Sequence, residues 1–552
     1  MKRRTKIILI VLGAILLLFV ILWQPIKRKG VAWLKEKASE TVLRETHGRY
    51  QLEIGRVSVV LPTASVRLHD IAFIRDSSVQ DSTGIAFLDK YDVDFHLDRL
   101  VLGGINWRAY LSDKNIDIEE LGFEGPRLTL RELSPSGNDP AAVDSTRADS
   151  SARRQPDIRI GGMYVEEGEF RLWEFRQDKP LVAVNKLQVA LDEILRQAGE
   201  DPAIPFGSLE LSLDEAEFQV GQYTSSLKSS GLSVENGHLH MDSLYYGALL
   251  SPAQLNVKFG FLKSWIQTTL YEVDLRDFDM ESLVRDKVYA FGHLDVPRAR
   301  FHLIRDRQTY EPPPTYKALP VELVHSIEVP IALDSLTVDN ADIRVEILSP
   351  KANLAGVLNF TQASLAIGNF TNQAPRIAER PLMTVNAEGR VMGQAKVELD
   401  LDFHLDKPET GNFSARARFG SMPMTNLNIF FEREILMQIA SGNLKRLDFR
   451  FDATNTHSNG TLDFEYSDLK FSKLSPHQEF LKDKPKSGLV VGLANLLIPK
   501  NHTSDQRRYK QGTIDVDRRT DRDLTDFLVT SMADGILSSW GFDNIINPNH
   551  KD

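Results

Sequence analysis

Two histidines, His238 and His240, come nearest in this chain to the residue types and spacing of a metal site. Side chains two positions apart in a strand project from the same face, so both imidazoles would lie on one side of a sheet. A zinc site needs three or four protein ligands, and the sequence places no third ligand nearby. We therefore interpret the pair as histidines on a solvated strand face and predict no bound metal.

A second polar group consists of Glu398, Asp400 and Asp402, which alternate with apolar residues. Their carboxylates could bind a cation, but alternating acids are more typical of a solvated strand face. The sequence lacks a phosphate-binding loop, a Gly-x-Ser-x-Gly motif, a zinc-protease helix and a Rossmann fingerprint. It also lacks cysteine, which excludes disulfides and thiolate nucleophiles. We predict that the protein is not an enzyme and carries no cofactor.

The chain begins with a short basic leader, residues 1–6, followed by an uncharged apolar run at 7–23. This length is near the lower limit for a transmembrane helix, and no small-residue cleavage pattern follows it. We interpret the run as an uncleaved signal-anchor. Basic residues lie on both sides, so the positive-inside rule leaves the orientation open, whereas the very short leader favours export of the remaining chain.

The segments after the anchor differ in composition. Residues 26–46 are predicted to form an amphipathic connector helix with Leu34, Ala38 and Val42 on one face. Residues 134–155 are small, polar and without periodicity, which predicts a disordered loop. The net charge of −10 argues against a nucleic-acid partner.

A strand pattern recurs along residues 47–476. In residues 121–130, apolar side chains alternate, the phase slips by one near Pro126, and alternation then resumes. Such a slip requires a bulge or a tight turn. Similar stretches begin at Val57, Met163, Leu211, Leu232 and Leu336. The pattern predicts a mainly β protein with an elongated, twisted antiparallel sheet and one apolar face, arranged as a repeating β-groove or like a sandwich.

The clearest alternation predicts a hairpin, with strands at 396–406 and 413–419. A second hairpin is predicted from 444–452 and 462–466, with its turn at 456–460. The apolar face of the first hairpin supplies our candidates for a lipid-binding groove, which are Val397, Leu399, Leu401, Phe403, Leu405, Phe413 and Phe419.

Residues 487–545 are predicted to contain an apolar segment and then an amphipathic helix. The helix has an apolar stripe that consists of Leu524, Phe527, Leu528, Met532, Ile536 and Trp540. Two interpretations are open. The helix could cap the hydrophobic face of the sheet, or it could contact a membrane or a partner, with Arg518, Arg519 and Arg522 meeting lipid phosphates.

Four features together resemble the AsmA-like family of envelope proteins, to which TamB-type proteins are related. They are the basic leader with its single anchor, the stretch at 50–59 that leads to 66–71, the strand unit at 121–130, and the late stretch from 439–444 to 460–470. The resemblance covers most of the chain, although each motif is degenerate. The family has no agreed catalytic residues, so it implies none here.

The resemblance implies a single-pass inner-membrane protein whose body lies in the periplasm. An apolar β-groove would hold the acyl chains of membrane lipids and serve phospholipid transport or lipid homeostasis in the cell envelope. The alternative is an assembly factor or scaffold for outer membrane biogenesis, with envelope protein partners, because an exposed sheet edge can pair with another strand. Alternation alone fits an open groove and a sealed core equally well.

Overall fold

The computed structural model describes residues 35–60, 63–76, 85–106, 108–109, 112, 115–133, 157–196, 206–233, 236–474 and 488–543. The predicted leader, the anchor and the whole predicted disordered loop at 134–155 lie outside these ranges. Strands account for 56% and helices for 18%, so the prediction of a mainly β protein is confirmed. None of the helices in the described ranges has both the length and the apolar character needed to cross a membrane.

The structure contains 21 strands and nine labelled helices within the described ranges. The strands are Tyr50–Val60 (β1), Ser65–Arg75 (β2), Tyr91–Gly103 (β3), Ile116–Glu132 (β4), Ile158–Trp173 (β5), Val182–Arg196 (β6), Ser208–Val220 (β7), Tyr223–Ser233 (β8), His238–Ala248 (β9), Trp265–Arg276 (β10), Tyr289–Val296 (β11), Arg298–Asp306 (β12), Ile331–Leu348 (β13), Gly356–Thr371 (β14), Leu382–Val391 (β15), Ala395–His404 (β16), Phe413–Phe419 (β17), Met422–Pro423 (β18), Gln438–Ala453 (β19), His457–Ser472 (β20) and Gly512–Asp517 (β21). The helices are 35–45 (α1), Ala86–Lys90 (α2), Pro252–Phe259 (α3), Met280–Asp286 (α4), Pro320–His325 (α5), Ala374–Glu379 (α6), Asn428–Glu434 (α7), Gly488–Leu497 (α8) and Leu524–Ser539 (α9).

The chain divides into two compact units. The first comprises residues 1–221 and 225–242, and the second comprises 222–224 and 243–552. In the first unit, β1 to β4 pair in order as antiparallel neighbours, β4 and β5 are parallel, and β5 to β7 are again antiparallel. Ala38 and Val42 of α1 are buried in the apolar cluster that β1 to β4 build. Leu34, the third predicted member of that helix face, lies outside the described residues.

The second unit is a mixed sheet. Strands β13 to β17 follow one another as antiparallel neighbours, and β17, β19, β20 and β21 continue the series. Strands β11 and β12 both run parallel to β13. The sequence pattern predicted an antiparallel sheet, and these parallel pairs show that this prediction is wrong for part of the sheet. A parallel neighbour needs a long crossover, and residues 307–330, which include α5, supply it between β12 and β13.

Two of the phase slips in the sequence, in β5 and β13, correspond to β-bulges. In β5 the pairing with β6 shifts between Val165 and Gly168, where Glu167 has a positive φ of 53°. In β13 the pairing with β14 shifts between Val338 and Ala341. A bulge inserts one unpaired residue, which returns the apolar side chains to their original face.

The two predicted hairpins are present. Strands β16 and β17 pair with Val397 opposite Phe419 and Phe403 opposite Phe413. Strands β19 and β20 form the second hairpin, but the predicted turn at 456–460 is wrong. Residues 457–460 belong to β20. Ala453 pairs with Ser458 across the two strands, so the chain reverses at residues 454–456.

Candidate functional site: an apolar strand face

Strand register aligns apolar side chains into rows across the second unit. One row runs from Leu294 through Leu336, Ile367 and Val385 to Leu401. Residues that face each other across neighbouring strands project to the same side of the sheet. The row therefore forms one apolar surface that extends over β11, β13, β14, β15 and β16.

Burial changes along this surface. The side chains of Leu294, Leu336, Ile367 and Val385 are partly exposed, whereas Leu401 is buried. Ile367 and Val385 pack against the core that contains Leu401, so the face is partly accessible over β11 to β15 and becomes more buried toward Leu401. An accessible apolar row is a surface on which a hydrocarbon ligand can lose contact with water.

The seven residues predicted to line a groove all lie on β16, on β17 or directly after β16. Leu401, Phe403, Leu405 and Phe413 are at most 5% exposed and belong to a packed core, which leaves no surface for a ligand beside them. Three others, Val397, Leu399 and Phe419, are partly buried against the same core. Sequence reasoning missed the accessible residues of β11 to β15, although the strand template at Leu336 was the signal that could have found them.

Two helices close the buried zone. Phe527 of α9 is 2% exposed, and its ring packs against Phe413 at a centroid distance of 6.1 Å and Phe451 at 6.3 Å. From α5, Val321 and Val324 are buried in the same cluster. This end of the sheet is therefore a conventional core between a sheet and helices.

Helix α9 begins where the sequence predicted, with Asp523 as its N-cap. The apolar stripe packs on the core, with Phe527 fully buried and the other five side chains partly buried. The most buried residues also include polar and small side chains, namely Ser531, Asp534, Gly535 and Ser538. The helix is therefore not the simple amphipathic helix that the stripe predicted.

The polar residues of α9 bind the backbone of β21. Asp515 donates its backbone N–H to Asp534 Oδ2 over 2.9 Å, and Thr513 donates its N–H to Ser538 Oγ over 3.0 Å. These two residues alternate with the strand's inward-facing Ile514 and Val516, which are fully buried. The helix consequently occupies hydrogen-bonding groups along this strand that another chain would need for pairing.

An apolar row also crosses the first unit. It runs through Leu100, Phe123, Val165, Val189 and Leu211 on five successive strands. Leu100 is 2% exposed, whereas the other four side chains are partly exposed. Each unit therefore combines a closed apolar core with an accessible apolar strand face.

His238 and His240 line a cavity of about 360 Å³ in the first unit, together with Val165, Val189 and Leu211 of its apolar row. Polar side chains such as Glu166 and Glu210 contribute to its lining, and Glu210 accepts a hydrogen bond from Ser233 over 2.6 Å. No group of three His, Cys, Asp or Glu residues with metal-binding geometry occurs in the described part of the chain. The cavity therefore combines the partly exposed end of this apolar row with polar side chains.

Tyr164 borders the same cavity and donates a hydrogen bond to Glu124 Oε1 over 3.4 Å. Burial, followed by the nearby carboxylates of Glu120, Glu124 and Glu166, raises the pKa of Tyr164 to about 12. The phenol is therefore neutral at physiological pH and acts only as a hydrogen-bonding group.

The predicted acidic row is engaged in pairing across the sheet. Arg418 Nη1 lies 3.0 Å from Glu398 Oε2, and Asn386 donates to Asp400 Oδ1 over 2.7 Å. Ser414 donates to Asp402 Oδ2 over 3.4 Å. Hydrogen bonding and charge from Lys396 also lower the pKa of Glu398. These contacts are those of a polar strand face whose acids have neighbouring partners.

A scan of protein-family models finds none that matches this chain, and a search of curated proteins finds no similar sequence. The strand faces and the sequence pattern are therefore the features from which a function can be inferred.

Proposed function

We propose that this protein is a non-enzymatic, AsmA-like envelope protein that holds lipid acyl chains against its apolar strand faces. In this proposal residues 7–23 anchor it in the inner membrane as a single span, and the body lies in the periplasm. There it would transfer phospholipid or maintain the lipid composition of the envelope. The row from Leu294 to Val385 carries the proposal, because it combines apolar chemistry with partial exposure on successive strands.

The physical reason is the hydrophobic effect. Each Å² of apolar surface removed from water contributes about 25 cal/mol, without requiring a directional contact. A flexible acyl chain can follow a row of aliphatic side chains that project from adjacent strands. The paired polar face of the same sheet would remain in water, as Arg418 and Glu398 illustrate.

The scaffold alternative depends on an accessible strand edge. At β21, however, α9 already accepts hydrogen bonds from the backbone of Thr513 and Asp515. Strand addition at this place would require α9 to leave its core contacts. The apolar face therefore supports lipid binding better than this edge supports scaffolding.

Photo-crosslinking from single positions tests lipid binding. A benzophenone amino acid would replace Val385, which is partly exposed on the apolar row, or its neighbour Asn386, which is exposed on the opposite face. A third variant at the buried Phe403 reports on the closed core. After irradiation in cells, mass spectrometry of the purified chain should find phospholipid adducts at position 385 and not at 386 or 403.

Adducts of equal yield at 385 and 386 would mean that lipid contacts the protein nonspecifically. A further variant places the benzophenone at Ile367, which faces Val385 across the row. The absence of adducts at both 385 and 367, with each variant folded, would contradict the proposal directly. Thermal unfolding of each variant provides the folding control.

A further inference from the structure

Helix α8 is fixed to the second unit through one face. Val491 is 5% exposed in the core, and Ala494 and Ile498 pack against the same cluster. Asn495 adds a two-point attachment to β20, because its side chain accepts from the backbone N–H of Phe471 over 2.9 Å and donates to the carbonyl of Phe471 over 2.8 Å. The orientation of the helix is therefore set by the residues on its inner side.

The outer side of α8 is also apolar. Leu493, Leu496 and Leu497 are 47%, 78% and 52% exposed. Their i, i+3 and i+4 spacing places them on a common helical face. Single exposed leucines are ordinary, but three on one face of a helix mark an interaction surface. We refer to these three residues as the leucine ridge.

Three lysines lie next to the residues that attach α8 or follow it. Lys470 and Lys473 are exposed on either side of Phe471, the residue to which Asn495 is bonded. Lys500 follows the helix, and its carbonyl accepts a hydrogen bond from Leu469 on β20. Its Nζ lies 3.6 Å from Asp468, an exposed pair of little energetic weight. Residues 469–474 and 488–500 contain no carboxylate side chain.

We infer that the leucine ridge docks α8 onto the surface of an anionic lipid bilayer. An interfacial helix inserts apolar side chains at the boundary of the acyl region while nearby basic residues attract anionic headgroups. With ten residues, α8 is too short to cross the bilayer. The apolar stripe of α9 packs on the protein core, whereas the leucine ridge of α8 is exposed, so we assign the bilayer contact to α8.

This inference is independent of whether acyl chains occupy the strand face. It assigns to the second unit a membrane contact separate from the proposed anchor at residues 7–23. A bilayer fits this surface because the nearby lysines complement anionic headgroups and the leucines of the ridge require only a nonspecific apolar medium.

Vesicle flotation tests the inference with the full chain. The purified protein would be held in nanodiscs of phosphatidylcholine and mixed with free vesicles of phosphatidylcholine, with or without phosphatidylglycerol. We expect recruitment to vesicles that contain phosphatidylglycerol. The triple variant Leu493→Ser, Leu496→Ser and Leu497→Ser should bind at least about tenfold more weakly, because three apolar side chains no longer enter the bilayer.

Val529→Ser is the matched control, since Val529 is 52% exposed on α9 and lies outside the ridge. It should bind like the wild type. A second test variant, Lys470→Gln with Lys473→Gln, should lose most of the preference for phosphatidylglycerol and retain the thermal stability of the wild type.

Three outcomes would overturn the inference. They are wild-type binding by the triple variant, an equal loss in Val529→Ser, and a ridge that mediates self-association of the chain without vesicle binding. Size-exclusion chromatography with light scattering detects the third outcome. Equal thermal stability of the wild type and the triple variant shows that any loss of binding is not caused by unfolding.

Discussion

The packing of α9 leads to a prediction about Phe527. Its side chain is 2% exposed and contacts the rings of Phe413 and Phe451 at centroid distances of 6.1 and 6.3 Å. Phe527→Ala removes a buried ring and leaves a cavity between α9, β17 and β19. Such substitutions cost about 3–5 kcal/mol, which includes the lost aromatic contacts.

Hydrogen exchange measured by mass spectrometry can locate this loss. A cost of about 3–5 kcal/mol corresponds to a decrease of roughly a hundredfold or more in the protection of amides that open with the core. Peptides from β17, β19 and β20 should lose protection. Peptides from β1 to β4 provide an internal reference, because they belong to the other compact unit.

Val529→Ala is the control on the same helix, and as an exposed substitution it should change stability by no more than about 0.5 kcal/mol. Equal exchange rates in the Phe527 and Val529 variants would refute the conclusion that α9 holds the core closed. Faster exchange in α9 alone, with unchanged strands, would show that the sheet is stable without its helix.

Two further predictions concern Asp534 and the orientation of the chain. Burial, with a smaller contribution from Asp515 and Asp543, raises the pKa of Asp534 against the opposing effect of the Asp515 backbone N–H. The folded state therefore favours the protonated acid, and the wild type loses stability as pH rises through the interval between the unfolded and folded pKa values. Asp534→Asn keeps an oxygen acceptor for that N–H. Thermal melts should therefore show the wild type losing stability relative to the variant as pH increases from about 4 toward 7. A variant that is less stable than the wild type at neutral pH would disprove this assignment. For orientation, protease added to intact spheroplasts should digest the body and spare the proposed anchor, whereas protection until lysis would place the body in the cytosol.

The hairpin of β16 and β17 illustrates what the sequence could predict. Its strict alternation determines the face of each side chain, and the observed pairing of Leu401 with Ala415 keeps both on the apolar face. The bulge at Glu167 was foreseeable for the same reason, because only an extra residue could restore the phase between Val165 and Phe170. Local periodicity determines such features, so no tertiary information was needed.

Other features depend on contacts distant in sequence. The parallel pairing of β11 and β12 with β13 depends on the path of a crossover, and alternation has the same period in parallel and antiparallel strands. Ser531 and Asp534 resemble solvent-facing helix residues until β20 is known to lie against the first and β21 against the second. Strand β21 itself lies in the segment where only an apolar stretch and a helix were predicted.

Close approach of helix and strand explains the glycine within α9. A Cβ at Gly512 would lie 1.9 Å from the carbonyl oxygen of Gly535, and a Cβ at Gly535 would lie 2.7 Å from Leu462 Cβ. The two glycines thus allow helix and strand backbones to approach more closely than side chains would permit. In the sequence alone, Gly535 looks like a weak point in a helix, since glycine lowers helix propensity.

The direction of α9 explains why part of the apolar face remains accessible. The helix runs along β20, because Ser531 contacts Ser458, Gly535 approaches Leu462, and Trp540 packs on Phe464 and Tyr466. Its observed partners lie on β17, β19, β20 and β21. The aligned row continues beyond them through Val385, Ile367 and Leu336, where the side chains are partly exposed. Exposed apolar surface there retains its tendency to leave water, and an acyl chain that lies along these strands would satisfy it.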